Sequence, residues 1–431
     1  MNEPAKLSSA SEGTAEYEAL LARLVRRGES DLDRVEPAVR EIIAAVRSEG
    51  DRGLSRYVER FEKRLPKAWL ERDYGGEAAL RGLPTPVAEA LVEAAARIRR
   101  YHQKQAEHLG GFEYVEQGVT LGSRVTPLAR VGVYAPGGKA RYPSSVLMCA
   151  VPAQVAGVTE IIVASPDTSP EVRAACHLAG VHALLDAGGA QAIAALAYGT
   201  ESVPRVDKIV GPGNIYVAAA KRLVFGEVDI DSIAGPSEIL VVADESADPA
   251  LIAADLLSQA EHDEAAYPLL VTSSAPLVAS VQTELARQLE TLPRRAIAEA
   301  SVRSNGFVLV VRDRTGLVTV ANALAAEHVA VHTVEPRALA DRILRAGAIF
   351  VGSMTPEAAG DYLAGPSHVL PTGGAARYGA PLGVYDFVSR TSIIGYEPDA
   401  LRAQGPKITA FARAEGLEAH ARAVEFRTLP K

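Results

Sequence analysis

Residues 131–165 read VGVYAPGGKARYPSSVLMCAVPAQVAGVTEIIVAS. The stretch opens on a β-branched run, passes a glycine pair, and closes on Ile161-Ile162-Val163-Ala164. Between Arg141 and Glu160 it carries no charge for eighteen residues, the lower limit for a helix that crosses a bilayer. Pro143 and Pro152 break such a span, and two serines, Gln154 and Gly157 dilute it. The stretch is therefore read as a strand at 131–134, a buried helix, a turn and a second strand at 160–164, not as a membrane anchor.

The same rhythm continues toward the C-terminus. Short β-branched runs stand at 183–186, 208–210, 238–243, 269–272, 307–311 and 348–351. Helical patterns fall between most of them, at 170–179, 189–198, 213–225, 248–261, 275–291 and 336–346. Alternating strand and helix predicts a mostly parallel sheet with helices on both faces and right-handed crossovers. Eight strands exceed one six-stranded unit, so the fold class is α/β with two Rossmann-like, doubly wound, mostly parallel sheets.

Toward the N-terminus, Val39, Ile42, Ile43 and Val46 form one stripe of a helix at 35–61, punctuated by Gly50-Asp51. A second amphipathic helix at 85–109 is entered by Thr85-Pro86 and ends at Gly110-Gly111. It lines up Leu91, Ala95 and Ile98. Residues 1–30 read as a loosely docked arm. Beyond 352 the chain loosens into loops rich in Gly and Pro, and a short helical segment follows at 410–425.

Composition excludes several classes. The chain has 431 residues, 45 basic against 53 acidic, and a net charge of −8. That balance argues against a dedicated nucleic-acid binder. Two cysteines allow neither a disulfide framework nor a Cys-rich zinc module. The opening segment has no apolar stretch of secretory type and is too acidic for a transit peptide. These features predict a cytoplasmic protein with no membrane partner.

The chain holds no G-x-G-x-x-G, Walker A loop, H-E-x-x-H or C-x-x-C. Any dinucleotide site must use other loops. Tyr134-Ala135-Pro136-Gly137-Gly138-Lys139 follows a strand, and its glycines let a backbone approach a phosphate beside Lys139 and Arg141. Gly211-Pro212-Gly213-Asn214 opens a helix whose N–H groups can face an anion. On motif shape alone, both read first as ordinary turns.

Gln259 and His262 are three apart near a helix end, so they share a face and can hold one metal, or be a solvated terminus. Glu327-His328 joins the two usual acid–base groups near neutral pH, and is also readable as a surface Glu beside a packed His. Ser237, Asp361, His368, Glu415 and His420 lie in segments whose individual signals are weak. Cys149, in the apolar run Val146–Val151, is read as an inert core thiol.

As a set, these segments resemble the histidinol dehydrogenase family. The resemblance runs through nearly the whole chain beyond the first thirty residues, and its most specific parts are IAGPSE (233–238), QAEHD (259–263), GDYLAGPSHVLPTGG (360–374) and EGLEAH (415–420). It implies a zinc-dependent oxidation of L-histidinol to L-histidine, through an aldehyde, in two NAD-dependent steps. By the same resemblance Gln259, His262, Asp361 and His420 are the metal ligands, and Glu327 and His328 the catalytic pair. Tyr134, Gln191 and Asn214 are NAD contacts. Ser237, His368 and Glu415, together with His328 and the metal ligands, are substrate contacts. A homodimer is implied, with its C-terminal tail exchanged so that His420 completes the other chain's site.

The expected organisation is an N-terminal arm (1–30), a metal-bearing unit (31–130 with 239–381), an NAD-binding unit (131–238) and a dimerisation tail (382–431). One position departs from the family pattern A-P-E-H-L: Ala326 replaces its proline. Two rival readings are a related zinc- and NAD-dependent dehydrogenase acting on another small alcohol, and a non-catalytic binding protein on the same scaffold. The latter should have lost metal or base residues, and this chain has not.

Overall fold

The computed structural model describes residues 5–27, 32–137 and 142–428. Gly138, Lys139 and Arg141 of the predicted anion loop lie outside the described residues. Two six-stranded sheets carry the fold, and a separate three-stranded antiparallel sheet accompanies them. The first is wholly parallel, in the order Ser8–Ser11, Phe307–Val310, Tyr267–Thr272, Glu238–Ala243, His328–His332, Ala348–Val351. The second runs Leu70–Glu71, Ala183–Leu185, Glu160–Ala164, Arg130–Tyr134, Lys208–Val210, Asp229–Ile230, and only its Leu70–Glu71 edge is antiparallel. The chain is thus α/β with two mostly parallel sheets and helices near both termini, as the alternation predicts.

Both faces of each sheet are covered. In the first, Leu240, Val242, Val329 and Val331 enter one core, while Ile239, Val241 and Ala330 enter the opposite one. Side chains alternate along a strand, so a strand buried on both faces reads as an unbroken apolar run. Each fully buried Val, Leu or Ile contributes about 1.5–3 kcal/mol. The uncharged stretch forms the helix Pro143–Ala156, buried through most of its length and ended by Gly157 in the left-handed region. No helix among the described residues is long and apolar enough to cross a membrane.

All eight expected strands are present. His328–His332, an interior strand of the first sheet, was not expected. Its five residues carry a histidine at each end, leaving too short an apolar run to separate strand from helix.

The packing differs from the expected domain grouping in three places. The helices Leu32–Glu49 and Asp51–Glu62 bury Val39, Val46, Leu54 and Val58 against Ile193, Leu196 and Val217 of the second unit. Thr85–Ala106 lays Leu91, Ala95 and Ile98 on the buried Pro143–Ala156 helix. Residues 32–106 therefore pack mainly with the second sheet, although Val369 joins the core of the 85–106 helix. Nor is the N-terminal segment a loose arm: Ser8–Ser11 is an edge strand of the first sheet, and Ala15–Val25, capped by Thr14, buries Tyr17 and Leu24 in its core. Finally, Leu382 and Phe387 belong to the second unit's core. The tail proper is the strand Val388–Tyr396, paired with Val119–Pro127, and the helices Pro398–Ala414 and Glu418–Thr428.

Candidate active site

Glu238 and His328 open two neighbouring parallel strands, with Ile239 and His328 in register. The preceding helix Arg314–Leu324 ends on Ala325 in the left-handed region (φ 46°), and Ala326 and Glu327 lead directly into the strand. The catalytic candidates thus stand at the amino ends of the first sheet's strands.

Their holders are specific. The Glu238 N–H donates to Glu327 Oε2 at 2.9 Å, and the Glu327 N–H donates back to Glu238 Oε2 at 3.2 Å. His328 Nδ1 lies 2.9 Å from the Glu238 carbonyl oxygen. A carbonyl only accepts, so Nδ1 carries the proton and Nε2 keeps its lone pair. That Nε2 is buried without a hydrogen-bond partner, 3.9 Å from Asp361 Oδ1. Burial holds the His328 pKa below the usual imidazole range, against the pull of Asp361. The Glu327 carboxyl is pushed well above the usual range, first by burial and then by the charge of Glu238. The pair therefore offers a neutral imidazole acceptor and a carboxylate of raised basicity.

A second layer comes from the helices Pro249–Ala260 and Glu357–Tyr362. Gln259 is fully buried with its amide against Glu357; a carboxylate only accepts, so the amide is assigned with its nitrogen toward Glu357, 3.1 Å from Oε2. Its carbonyl oxygen is consequently turned away from that carboxylate. Ser258 Oγ also donates to Glu357, at 3.2 Å. Glu357 and Asp361 are four apart on one helical face. Burial and the Asp361 charge raise the Glu357 pKa well above the usual range. His328, Glu357 and Asp361 each offer a ligand atom within 4.8 Å of the others. With His328 Nε2 kept as the proton acceptor, the Gln259 amide oxygen and the Asp361 carboxylate remain as oxygen donors that suit a divalent cation such as zinc.

His368 faces Asp361 through Nδ1, 3.1 Å from its backbone oxygen and 3.8 Å from Oδ1. Its Nε2 approaches Ser145 Oγ at 3.5 Å, and Ser367 Oγ donates to the Met148 carbonyl at 3.2 Å. Ser145 and Met148 lie early in the helix that follows Arg130–Tyr134. The site therefore abuts the carboxyl end of the second sheet. Ser237 immediately precedes Glu238 and is half-buried. His262 is exposed, yet near enough that its charge helps depress both His328 and His368.

Tyr134, Gln191 and Asn214 all fall at the carboxyl edge of the second sheet. Chain order runs outward from Arg130–Tyr134 to Ala183–Leu185, then returns to Lys208–Val210 on the other side. Such a switch point is where open α/β sheets take ligands. Tyr134 Oη accepts the Gly189 N–H at 3.0 Å. Gln191 is buried in the next helix's first turn. Asn214 caps Ile215–Val224, accepting from Tyr216 and Val217 at 3.0 and 3.2 Å. Gly211 has φ 113°, and a Cβ there would lie 2.2 Å from the Tyr134 oxygen, so only glycine admits this approach. The buried Lys221–Asp231 pair pins the loop, through Lys221 Nζ to the Gly211 oxygen and the Gly211 N–H to Asp231.

The structure thus gathers Glu327, His328, Gln259, Asp361 and His368, with Ser237 and His262 at the rim. It does not bring Glu415 or His420 to them. Both stand exposed on the helical tail, and among the described residues no hydrogen bond or ion pair joins either to the cluster. Cys149 is a buried thiol pushed far up by desolvation, inert as expected, and Cys176 is buried and shifted in the same way. The residues missed from sequence are Glu357, whose spacing to Asp361 was a usable signal, and Glu238.

Fold and site together define a two-sheet α/β enzyme with a buried acid–imidazole centre. Residues 25–428 match the model of the family described as histidinol dehydrogenase. A histidinol dehydrogenase of Syntrophotalea carbinolica is 52% identical over 419 residues, covering 96% of this chain and 97% of that one. One from Aquifex aeolicus is 49% identical over 409 residues, covering 94% and 96%. The crystal structure of histidinol dehydrogenase from Elizabethkingia anophelis superposes with a TM-score of 0.91 at 31% identity, covering 99% of each chain. The chain belongs to the histidinol dehydrogenase family and is an oxidoreductase.

Proposed function

We propose that this chain oxidises L-histidinol to L-histidine through an aldehyde, passing two hydrides in turn to NAD⁺. The observation that carries the reading is His328: Nδ1–H fixed on the Glu238 carbonyl, and Nε2 buried and free beside Asp361. Nε2 accepts the alcohol proton as hydride leaves the carbinol carbon. Glu327, made more basic by burial, takes a proton from the water that adds to the aldehyde. His328 passes its first proton to solvent and then accepts the hydrate's hydroxyl proton as the second hydride leaves.

Gln259, His262 and Asp361 of one chain, with His420 of a second copy, would hold zinc, which supplies Lewis-acid polarisation and a template for the substrate's imidazole and amine. Ser237, His368 and Glu415 orient the rest of the substrate. Tyr134, Gln191 and Asn214 line the NAD⁺ site. His420 and Glu415 reach a site only by tail exchange in a homodimer. The tail's exposed Ile394, Phe411 and Phe426 support that arrangement.

The test is a count of NADH per histidinol with and without a chelator. Two NADH, lost on chelation and restored by Zn²⁺, is the expected result. No turnover in the metal-supplied protein, or turnover of another small alcohol in preference, would overturn it.

A further inference from the structure

The side chain of Glu238 is held by a residue 211 positions away in sequence. Arg27 Nη2 lies 2.5 Å from Glu238 Oε2, and both side chains are 1% exposed. Arg27 Nη1 donates to the Leu24 carbonyl at 2.8 Å, which anchors the guanidinium to the end of the Ala15–Val25 helix. The same Oε2 accepts the Glu327 N–H, while Oε1 accepts the Gly373 N–H at 2.6 Å. Gly373 closes the segment that carries Asp361 and His368. One guanidinium therefore fixes the carboxylate to which both the catalytic pair's entry and the 360–374 segment are tied.

We propose that Arg27 is a positioning residue for the catalytic centre, acting through Glu238. This rests on the assignment of Glu327 and His328 as the catalytic pair. Arg27 touches neither substrate nor cofactor in this role. Without it, Glu238 is a buried carboxylate with no cation, and it relaxes by reorienting. That weakens its hold on the Glu327 and Gly373 amides. Groups that must meet the substrate in a fixed geometry then lose register, and a displacement of about 1 Å costs on the order of 10²-fold in rate. The ground-state contacts of histidinol and NAD⁺ are made by other residues, so binding should change little.

The experiment compares Arg27→Met and Arg27→Lys in the zinc-loaded enzyme, with Glu327→Gln as a parallel control. Each is assayed for alcohol and aldehyde oxidation, zinc content and melting temperature. Arg27→Met should lower kcat for both oxidations by about tenfold or more while KM values stay within about threefold. Zinc content should stay at the wild-type level. Arg27→Lys keeps the charge but not the fork, so it should recover part of the loss. A folded Arg27→Met enzyme with wild-type kcat and only a lower melting temperature overturns the proposal. So does a rate loss that merely tracks zinc loss. If Arg27→Met does not fold, Arg27→Lys decides: reduced kcat at constant KM supports positioning, and unchanged kcat overturns it. Aldehyde oxidation retained by Glu327→Gln would instead overturn the catalytic assignment, separately from the Arg27 result.

Discussion

Glu238 and Glu327, 89 residues apart in sequence, each accept the other's backbone N–H on a carboxylate oxygen, at 2.9 and 3.2 Å. Two buried carboxylates side by side are unfavourable unless hydrogen bonds and a cation offset them. Here the reciprocal amides supply the first and Arg27 the second. Glu238 uses its peptide carbonyl to hold His328 as well. One residue thus sets the carboxylate of one catalytic candidate and the tautomer of the other.

That shared holder separates the roles of the pair. Glu327→Gln keeps an oxygen for the Glu238 N–H but removes the base that activates water. Aldehyde oxidation should fall by about 10²–10⁴-fold, with alcohol oxidation far less affected. His328→Asn should slow both oxidations. Because burial depresses the His328 pKa, the free Nε2 persists to lower pH than in an ordinary histidine. The acid limb of alcohol oxidation should therefore lie below about pH 6.5. Stopped-flow NADH formation from histidinol and from the aldehyde across pH measures all of this. Equal losses of both steps in Glu327→Gln would count against its role with water.

Glu357 gives a prediction that does not depend on turnover. Its carboxylate fixes the amide of the fully buried Gln259, so that the carbonyl oxygen points elsewhere. In Glu357→Ala the amide is freed to rotate. Partners of this kind are worth about 10–100-fold in metal affinity. Zinc retained against a graded chelator series should drop by that factor, and an unchanged zinc affinity would remove Glu357 from this role.

Much of this was legible in the chain itself. Strands buried on both faces show as continuous β-branched runs, so the alternation exposed two parallel sheets. The amphipathic stripes at 35–61 and 85–109 announced buried helices, but a stripe says only that a face is covered. Which sheet covers it depends on residues far along the chain, the Ala-rich helices around Ile193 and Ala219 for the first stripe and the Pro143–Ala156 helix for the second. His328–His332 was hidden by its histidines. In the site, the Glu327-His328 dipeptide and the Gln259–His262 spacing were visible as chemistry, while their environment was not. Arg27 pairs with a residue 211 positions away, and no local pattern marks such a partner.

The exposed tail makes a complementation test possible. If His420 serves the site of a second copy, Glu327→Gln and His420→Asn inactivate different halves of each composite site. Random mixing makes half of the dimers mixed, and each mixed dimer holds one intact site of two. Aldehyde oxidation, the step lost in Glu327→Gln, should therefore recover to about one quarter of wild type when the two variants are co-refolded. Mixed dimers that form without any recovery would place His420 in its own chain's site, and an active His420→Asn variant would remove it from the site altogether.

Glu62 offers a pH-dependent stability test beside the dinucleotide edge. Its Oε1 accepts the Gly188 N–H at 2.9 Å, next to the helix start that Tyr134 also binds. Burial raises its pKa, and the Gly188 amide and Arg64 only partly oppose that. The folded state therefore binds this proton more tightly than the unfolded state does. Stability from this group is lost as pH rises from the ordinary carboxylate pKa through the raised folded value, and at neutral pH the cost is present in full once that value is passed. Glu62→Gln keeps an acceptor for Gly188 and leaves Arg64 forked on Asp186 at 2.8 and 2.6 Å. The variant should melt higher than wild type at pH 8, and the difference should shrink as pH falls toward 4. A difference independent of pH, or one that grows in acid, would show that the Arg64 contact outweighs burial at this carboxylate.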